Sequence, residues 1–430
     1  MGNKREGMLK ALNKKTKAIT NFDAGCRMPD VGRLQSEVID FLRFPLIIGI
    51  LLIHSASTTA NLATDHIGND AWLPIFTICR DFFANTLGRL SVPTFFFISG
   101  FLFFLHIDAF DSGVYLKKLK SRVRTLLIPY LFWNILSLMI FHTAYHITAL
   151  APFFSQTHDF TWQYFLKALW ALPNLTPELL HYPYAYQFWF IRDLMVMVTL
   201  SPILYHFVKS FRIASIALLG LLWFSEWWQG WLPWLDGHGL SIVALFFFTA
   251  GAWFAINKRN LIDDADKVAK WAFILYPPVA VADMFSKLHI PGQYIYLPFV
   301  HNSGILLGMV ACFALTAHLL KTGNVKVNTF LASASFFVFA VHEPLFLSKL
   351  RKVVFVIFQP QADADFTILY FLLVLVVAVV SLGIYWLLLR VLPGFTRLIT
   401  HHWRQVKAAV TRNGLNFAHG TVILMWFRPA

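Results

Sequence analysis

The fold is decided by the stretch Asp40-Phe41-Leu42-Arg43-Phe44-Pro45-Leu46-Ile47-Ile48-Gly49-Ile50-Leu51-Leu52-Ile53-His54-Ser55. It is apolar enough to enter a bilayer, yet it contains an acid, an arginine and a histidine. At about 100° per residue, Arg43 and His54 share one face of a helix and lie about 16 Å apart along its axis. Asp40, one turn before Arg43, falls on nearly the same face. Pro45 is expected near the start of this helix, where its missing N–H costs no hydrogen bond.

Charged side chains on a membrane helix are costly when they face lipid, and they mark functional sites when they face a bundle interior or a wet cavity. This rule makes Arg43 and His54 candidate functional residues. The alternative is structural: Arg43 reaches the lipid headgroups and His54 hydrogen-bonds a neighbouring helix. This helix alone leaves both interpretations open.

The composition is typical of an integral membrane protein. Of 430 residues, 57% are apolar and 13% charged, whereas soluble domains are about 25% charged. The net charge of +14 comes from basic residues in loops, which indicates membrane topology and anionic lipid and gives no reason to expect nucleic acid. The three cysteines have no metal-binding or redox spacing. Because HExxH and Walker-type motifs are also missing, neither a metal site nor an ATP-driven pump is expected.

The hydropathy pattern predicts an all-α polytopic membrane protein with about ten transmembrane helices. The predicted spans are residues 38–60, 88–107, 125–147, 186–208, 211–228, 239–257, 269–286, 300–320, 329–349 and 366–391. Twenty-seven of the 36 Lys and Arg then lie on one side and six on the other, a bias that places both termini in the cytoplasm. The membrane domain, residues 38–391, lies between basic tails of residues 1–37 and 392–430. The first tail is unlike a signal peptide, so the first span is expected to stay in the mature protein.

The longest predicted outer loop, residues 148–185, contains apolar residues at helical spacing between Trp162 and Trp170. This spacing predicts a helix lying on the outer membrane surface. An aromatic run, residues 181–186, then leads into the fourth span. Its tyrosines are expected to anchor the chain at the membrane interface, and a sugar-binding platform is the alternative.

A basic cluster precedes the third span in a predicted inner loop, residues 108–124. It consists of Lys117, Lys118, Lys120, Arg122 and Arg124. The cluster is either a positive-inside topology signal or a binding site for an anionic donor.

Further polar groups stand at membrane depth in two other spans. Arg89 is expected at the outer start of the second span, in which Ser99 can bond across helices and Gly100 permits close approach. His342 and Glu343 lie in the outer half of the ninth span. Buried histidines and arginines with a few carboxylates fit acid–base chemistry, and they also fit the proton relays of secondary transporters.

The fourth span begins with a third group of polar residues, Trp189, Arg192 and Asp193. Neighbouring residues in a helix point about 100° apart, so Arg192 and Asp193 need not pair with each other.

Taken together and in order, these segments resemble the bacterial membrane acyltransferase family 3, the O-acetyltransferases of surface glycans. The matching features are Asp40-x-x-Arg43, the arginine–ten residues–histidine spacing of Arg43 and His54, residues 92–101, the basic approach to Pro129-Tyr130, residues 189–194 and His342-x-Pro344. The resemblance covers roughly residues 36–390. Two features depart from it: Phe-Pro follows Arg43 where many members are Ala-rich, and no fused hydrolase-like domain is recognised. The chain is therefore expected to act alone or with a separate partner.

The resemblance implies a donor, an acceptor and a location. The donor is acyl-CoA, expected to be acetyl-CoA, taken from the cytoplasm. The acceptor is a hydroxyl of a glycan or lipid-linked saccharide, commonly on the outer face of the bacterial plasma membrane. No permanently bound cofactor is expected, and the oligomeric state is not predicted.

A mechanism follows from the residue types. A hydroxyl attacks a thioester when a base removes its proton, and His54 is the expected base. Arg43 is expected to hold a donor phosphate or to position the thioester, and the basic cluster to admit the CoA phosphates. His342 and Glu343 form either a second acid–base pair or a structural hydrogen bond. The remaining candidates, substrate-binding or structural, are Asp40, Arg89, Ser99, Trp189, Arg192 and Asp193.

A transporter or flippase of a lipid-linked glycan is the competing prediction. It explains the topology and the buried charges but not the ordered set of motifs. Release of CoA by the purified protein distinguishes the two, because a transporter needs no acyl-CoA.

Overall fold

The computed structural model describes residues 30–67, 73–147, 161–170, 172–173, 181–226, 239–289 and 297–400. Most of the two predicted tails and part of the predicted 148–185 loop lie outside these residues. Within them the chain is helical, apart from turns and one short antiparallel ladder between β1 (Leu172–Pro173) and β2 (His181–Tyr182). The predicted all-α fold class is confirmed.

The helices are α1 (Asp30–Ile67), α2 (Pro74–Phe104), α3 (Ser112–His146), α4 (Trp162–Trp170), α5 (Trp189–Thr199), α6 (Ser201–Phe211), α7 (Ile213–Ser225), α8 (Ile242–Ile256), α9 (Leu261–His289), α10 (Leu297–Lys321), α11 (Thr329–Val341), α12 (Leu347–Phe358), α13 (Asp363–Val391) and α14 (Pro393–Thr400). In the described part of the chain, seven helices are long and apolar enough to cross a membrane, or eight if α5 and α6, bent by 64°, form one span. The short apolar helices α7 and α8 coincide with the other two predicted spans.

Helix α1 lies at the centre of the bundle. It packs against α2, α10, α11, α12 and α13, and it carries the Arg43 and His54 stripe. The helix begins at Asp30, so Pro45 lies in its interior and not near its start as the sequence predicts. A proline is tolerated inside a membrane helix because neighbouring groups take up the carbonyl that loses its N–H partner.

Helix α2 begins at Pro74, before the predicted start of the second span, and Arg89 therefore lies in its interior. The prediction was wrong because Arg80, Asp81 and Asn85 make residues 80–88 look like a loop. Their polar groups satisfy one another: Arg80 Nε lies 2.9 Å from Asp81 Oδ1, and Asn85 Nδ2 donates to the same oxygen at 2.7 Å. Paired in this way, they continue the helix through a π-helical segment, Arg80–Leu87.

The predicted inner loop before the third span is largely helical. Helix α3 begins at Ser112, so the basic cluster lies on the first turns of a long helix. Asp111 caps this helix by accepting a hydrogen bond from the backbone N–H of Val114 at 2.7 Å. The basic side chains therefore have fixed directions around a helix.

Helix α4 confirms the helix predicted in the 148–185 loop. Trp162 and Leu166 of this helix are exposed. Its carboxyl end is hydrogen-bonded to the bundle, because Tyr130 Oη donates to the carbonyl of Leu169 at 2.6 Å. Helix α14 lies in the segment that the sequence pattern assigns to the second tail. It packs against α3, where Trp133 Nε1 donates to the carbonyl of Ile399 at 3.1 Å.

The backbones of α2 and α8 come into direct contact where the two helices cross. A Cβ on Gly100 would collide with the backbone carbonyl of Phe248, and a Cβ on Gly251 would collide with that of Phe97. The two glycines thus let the backbones touch, as predicted for Gly100. This crossing fixes α2, which carries Ser99, against the opposite half of the bundle.

Gly251→Ala should lower the free energy of unfolding by about 1–3 kcal/mol, because a methyl group has no room at the crossing. Gly383→Ala is the matched control, since Gly383 lies on a helix and a methyl group there would meet no atom within 4 Å. It should leave stability unchanged or raise it, because alanine favours a helix over glycine by about 0.8–1.0 kcal/mol. Denaturation in mixed micelles measures both. Equal stability of the two variants would contradict the tight crossing.

Candidate functional site

Two histidines from distant parts of the chain meet inside the bundle. The ring of His54, on α1, lies 5.0 Å from the ring of His342, which follows α11. His342 is buried and His54 is half-buried. The sequence predicts both as candidates, but only the fold makes them neighbours.

His342 is held at a break between α11 and α12. Glu343 has extended backbone angles, φ −137° and ψ 152°, and interrupts the helix. The following residue, Pro344, disfavours a helical conformation at Glu343. The break leaves His342 and Glu343 buried within a span that is otherwise apolar.

The hydrogen bond of His342 determines which of its ring nitrogens carries the hydrogen. Nδ1 lies 2.6 Å from the carbonyl oxygen of Phe339. A carbonyl only accepts, so Nδ1 carries the hydrogen, and in the neutral ring Nε2 keeps its lone pair. Nε2 is buried and has no hydrogen-bond partner among the described residues. A buried basic nitrogen with no partner is suited to accept a proton from a substrate.

Tyr186 is a site residue that the sequence reasoning missed. Its hydroxyl lies 3.1 Å from Nδ1 of His54, and the two rings meet edge to face at 5.4 Å. The sequence places Tyr186 among interface aromatics, where an anchoring role is the commoner one. Its position immediately before the polar start of the fourth span is the signal that was available.

A cavity of about 210 Å³ lies inside the bundle. Arg43 and Arg122 line it, together with Ser99. Ile50, one helical turn before His54, and Phe339, whose ring lies 5.9 Å from that of His342, line it as well. Neither histidine lines the cavity itself, so Ile50 and Phe339 are the residues that bring it close to the pair.

The two charges at the start of the α1 stripe form an ion pair. Arg43 Nη1 lies 3.2 Å from Asp40 Oδ1, and both side chains are partly exposed. Such a pair is worth about 0–1 kcal/mol. Arg43 can therefore exchange this partner for an anionic ligand in the cavity at small cost.

The basic cluster divides between two faces of α3. Lys118 Nζ donates to the carbonyl of Phe103 at 2.5 Å, and Arg122 lies over the Phe103 ring at 5.7 Å and reaches the cavity. Lys117, Lys120 and Arg124 are exposed. Among the described residues, Arg122 is the one member of the predicted donor cluster that lines the cavity.

Arg192 and Asp193 are fully buried and paired, with Arg192 Nε 3.0 Å from Asp193 Oδ1. The sequence left this pairing open, and the long arginine side chain bends back to its neighbour. Arg192 Nη1 also donates to the carbonyl of Trp170 at 3.1 Å, which ties α4 to α5. Trp189 packs near Phe96, with ring centroids 6.3 Å apart. These contacts join α5 to α4 and to α2.

Arg89, an exposed residue of α2, is near a polar group that includes Asp283. It lies within electrostatic range of His54 and of the buried Asp283 on α9. Asp283 Oδ2 accepts a hydrogen bond from Thr86 Oγ1 at 3.0 Å and lies 3.2 Å from His301 Nδ1. Arg89 thus brings a positive charge near the histidine pair.

No group of three or more His, Cys, Asp or Glu among the described residues could hold a metal ion. The site consists of histidines, a tyrosine and arginines in a multi-helix membrane bundle.

The family comparison identifies the class of protein that contains this combination, a membrane acyltransferase. The model of the acyltransferase domain, family 3, matches residues 37–390, and the chain belongs to this family. The matched residues agree with the resemblance drawn from the motifs.

The chain is also similar to succinoglycan biosynthesis protein ExoH of Rhizobium meliloti (strain 1021). The two are 26% identical over 314 residues, which are 72% of this chain and 78% of ExoH. No solved structure matches the chain.

Asp193→Ala should lower the free energy of unfolding by about 3–5 kcal/mol, because it leaves a buried guanidinium without its carboxylate. Arg192→Met combined with Asp193→Leu should recover much of this loss, because it removes both charges. Lys258→Ala is the control: it breaks an ion pair with Asp108 in which both side chains are largely exposed, and stability should hardly change. Loss of turnover at wild-type stability in Asp193→Ala would instead assign the pair to substrate binding.

Proposed function

We propose that the protein is a membrane O-acyltransferase that moves an acyl group, acetyl, from cytoplasmic acyl-CoA to a hydroxyl of a glycan or lipid-linked saccharide. The observation that carries the proposal is the contact between His54 and His342, together with a cavity that Arg43 and Arg122 line and whose wall residue Phe339 contacts His342. Membership of the acyltransferase family supports acyl transfer. The name of ExoH, a succinoglycan biosynthesis protein, supports a glycan acceptor.

The donor enters at the arginines. CoA carries phosphates, and guanidinium groups bind phosphate through paired, charge-assisted hydrogen bonds. Arg43 and His54 lie about 16 Å apart along α1, and the flexible pantetheine arm can extend over such a distance. With a phosphate at Arg43 or Arg122, the thioester lies near the histidines.

The transfer is a base-assisted substitution at the thioester carbonyl. The acceptor oxygen forms a bond to the acyl carbon while His54 takes the hydroxyl proton, and the carbon–sulfur bond breaks. The departing thiolate then takes the proton and leaves as CoA. His342 and Glu343 lie beside this step as a second acid–base pair, and Arg89 supplies positive charge toward the oxyanion that forms.

A transporter or flippase of a lipid-linked glycan is the competing proposal, acting in the same bacterial plasma membrane. It accounts for the buried charges, but it gives no role to an acyltransferase family fold. Acyl-CoA-dependent release of free CoA by the purified protein supports the enzyme, and transport without it supports the transporter.

His54→Ala should lower acyl transfer by about 10²–10⁴-fold, the usual contribution of a general base. Insertion and donor binding should stay near normal, because an interhelical hydrogen bond in a membrane averages only about 0.6 kcal/mol. Arg43→Ala should weaken donor binding as well as rate. The assay is CoA release in nanodiscs with acetyl-CoA and a saccharide acceptor.

His342→Ala is the comparison that assigns the base. An active His54→Ala with an inactive His342→Ala would move the base to His342. Activity in both variants would remove histidine from the mechanism.

Arg122→Ala should raise the donor KM about tenfold or more, since a hydrogen bond to a charged group contributes about 1.5–3 kcal/mol. Arg124→Ala is the matched control, because Arg124 has the same charge two residues away and is exposed. Its donor KM should stay within about twofold of wild type. Salt should weaken donor binding in wild type more than in Arg122→Ala. An unchanged donor KM in a correctly inserted Arg122→Ala would reduce the cluster to a topology signal.

A further inference from the structure

The hydroxyl of Tyr186 lies 3.1 Å from Nδ1 of His54, opposite the nitrogen that remains for catalysis. We propose that Tyr186 is a positioning residue: its oxygen accepts the Nδ1 hydrogen of His54 and so keeps the lone pair on Nε2. This inference rests on the proposed function of His54 as the base. It assigns a role to a residue that the family resemblance did not identify.

The tautomer of His54 decides whether it can act. A neutral imidazole has one N–H and one lone pair, and the partner of one nitrogen determines the state of the other. If Tyr186 accepts from Nδ1, then Nε2 is basic and can take the acceptor proton. If Tyr186 instead donates to Nδ1, then Nε2 keeps its hydrogen and His54 cannot be the base. The proposal commits to the first arrangement.

Tyr186 is fixed in place by its neighbours in the chain. It begins a short 3-10 turn, Tyr186–Phe188, ahead of α5. The N–H of Ala185 donates to Asn134 Oδ1 on α3 at 3.0 Å, and Phe188 is fully buried. A hydroxyl on such a rigid turn can orient a histidine ring.

The same turn is bonded to the break that carries His342. Gln187 Nε2 donates to the carbonyl oxygen of Ala340 at 3.2 Å and also to that of Glu343. Because of these bonds, Tyr186 and His342 keep a fixed relation on either side of His54. The turn therefore sets the positions of Tyr186 and His342 relative to each other.

The protonated state of His54 favours the same arrangement. Glu343, which is buried, acts electrostatically on Tyr186. When His54 takes a proton on Nε2 it becomes an imidazolium, whose Nδ1–H is donated to the tyrosine oxygen. A hydrogen bond donated by the charged ring stabilises that ring. When Nε2 releases the proton to the departing thiolate, the ring returns to its first state.

Tyr186→Phe should lower kcat by about 10–100-fold, the range found for groups that orient metal-bound histidines through the second ring nitrogen. The donor KM should stay unchanged, because Tyr186 does not line the donor cavity. The pH dependence of kcat should also change, because the protonated ring loses the oxygen that accepts its Nδ1 hydrogen. The assay is CoA release from acetyl-CoA in nanodiscs, measured across pH.

Tyr130→Phe is the matched control. It removes a hydrogen bond to the backbone, at 2.6 Å from the carbonyl of Leu169, but does not touch His54. It should keep wild-type kcat and pH dependence. Thermal unfolding of both variants tests whether Tyr186→Phe lowers turnover through misfolding.

A second variant tests the site if Tyr186→Phe is unstable. Replacement of Tyr186 by 3-fluorotyrosine retains the ring and hydroxyl but makes the phenol more acidic. The proposal expects this enzyme to fold and to be active with a displaced pH profile of kcat. A pH profile identical to wild type would overturn the role of Tyr186.

The outcomes separate this inference from the proposed function. Wild-type kcat in Tyr186→Phe, with His54→Ala inactive, would overturn the positioning role and leave the acyltransferase intact. Full activity in both would overturn His54 as the base, and the inference with it. Absence of acyl transfer in the wild-type protein would overturn the proposed function itself.

Discussion

The contact between His54 and His342 is the interaction on which the arrangement of the site depends. One ring comes from an unbroken central helix and the other from a break in a later one. Burying two imidazoles side by side is costly unless their nitrogens find partners. Phe339 and Tyr186 provide one partner each, which leaves one ring nitrogen of each histidine for chemistry.

Buried polar groups elsewhere in the bundle also need hydrogen-bond partners, but there the bonds hold helices together. Arg192 pairs with Asp193, and Asp283 accepts from Thr86, with these carboxylates buried among helices. The bilayer core contains no water that could bond to such groups, so the protein must supply their partners. These groups fasten helices together, whereas Arg43 and Arg122 line a cavity and remain available to a ligand.

Residues of α2 and α11 line the same cavity, among them Ser99 and Phe339. Gly100 and Gly251 bring α2 and α8 into direct contact, and this fixes the position of α2. The break that follows α11 places the ring of His342 5.0 Å from that of His54. One tight helix crossing and one interrupted helix therefore position the residues of the site.

The sequence by itself determined the fold class, the helical stripe of Arg43 and His54, the helix in the outer loop and the family. These features follow from local periodicity and from the order of motifs. Both can be read from the sequence before the chain is folded. Only the tertiary structure decided that His342 meets His54, that Arg122 but not Arg124 reaches the cavity, and that Arg192 pairs with its neighbour. The start of α2 and the position of Tyr186 beside His54 were decided there too. Each depends on which side chains from distant helices come together, and a single sequence records spacing along the chain, not distance across the bundle.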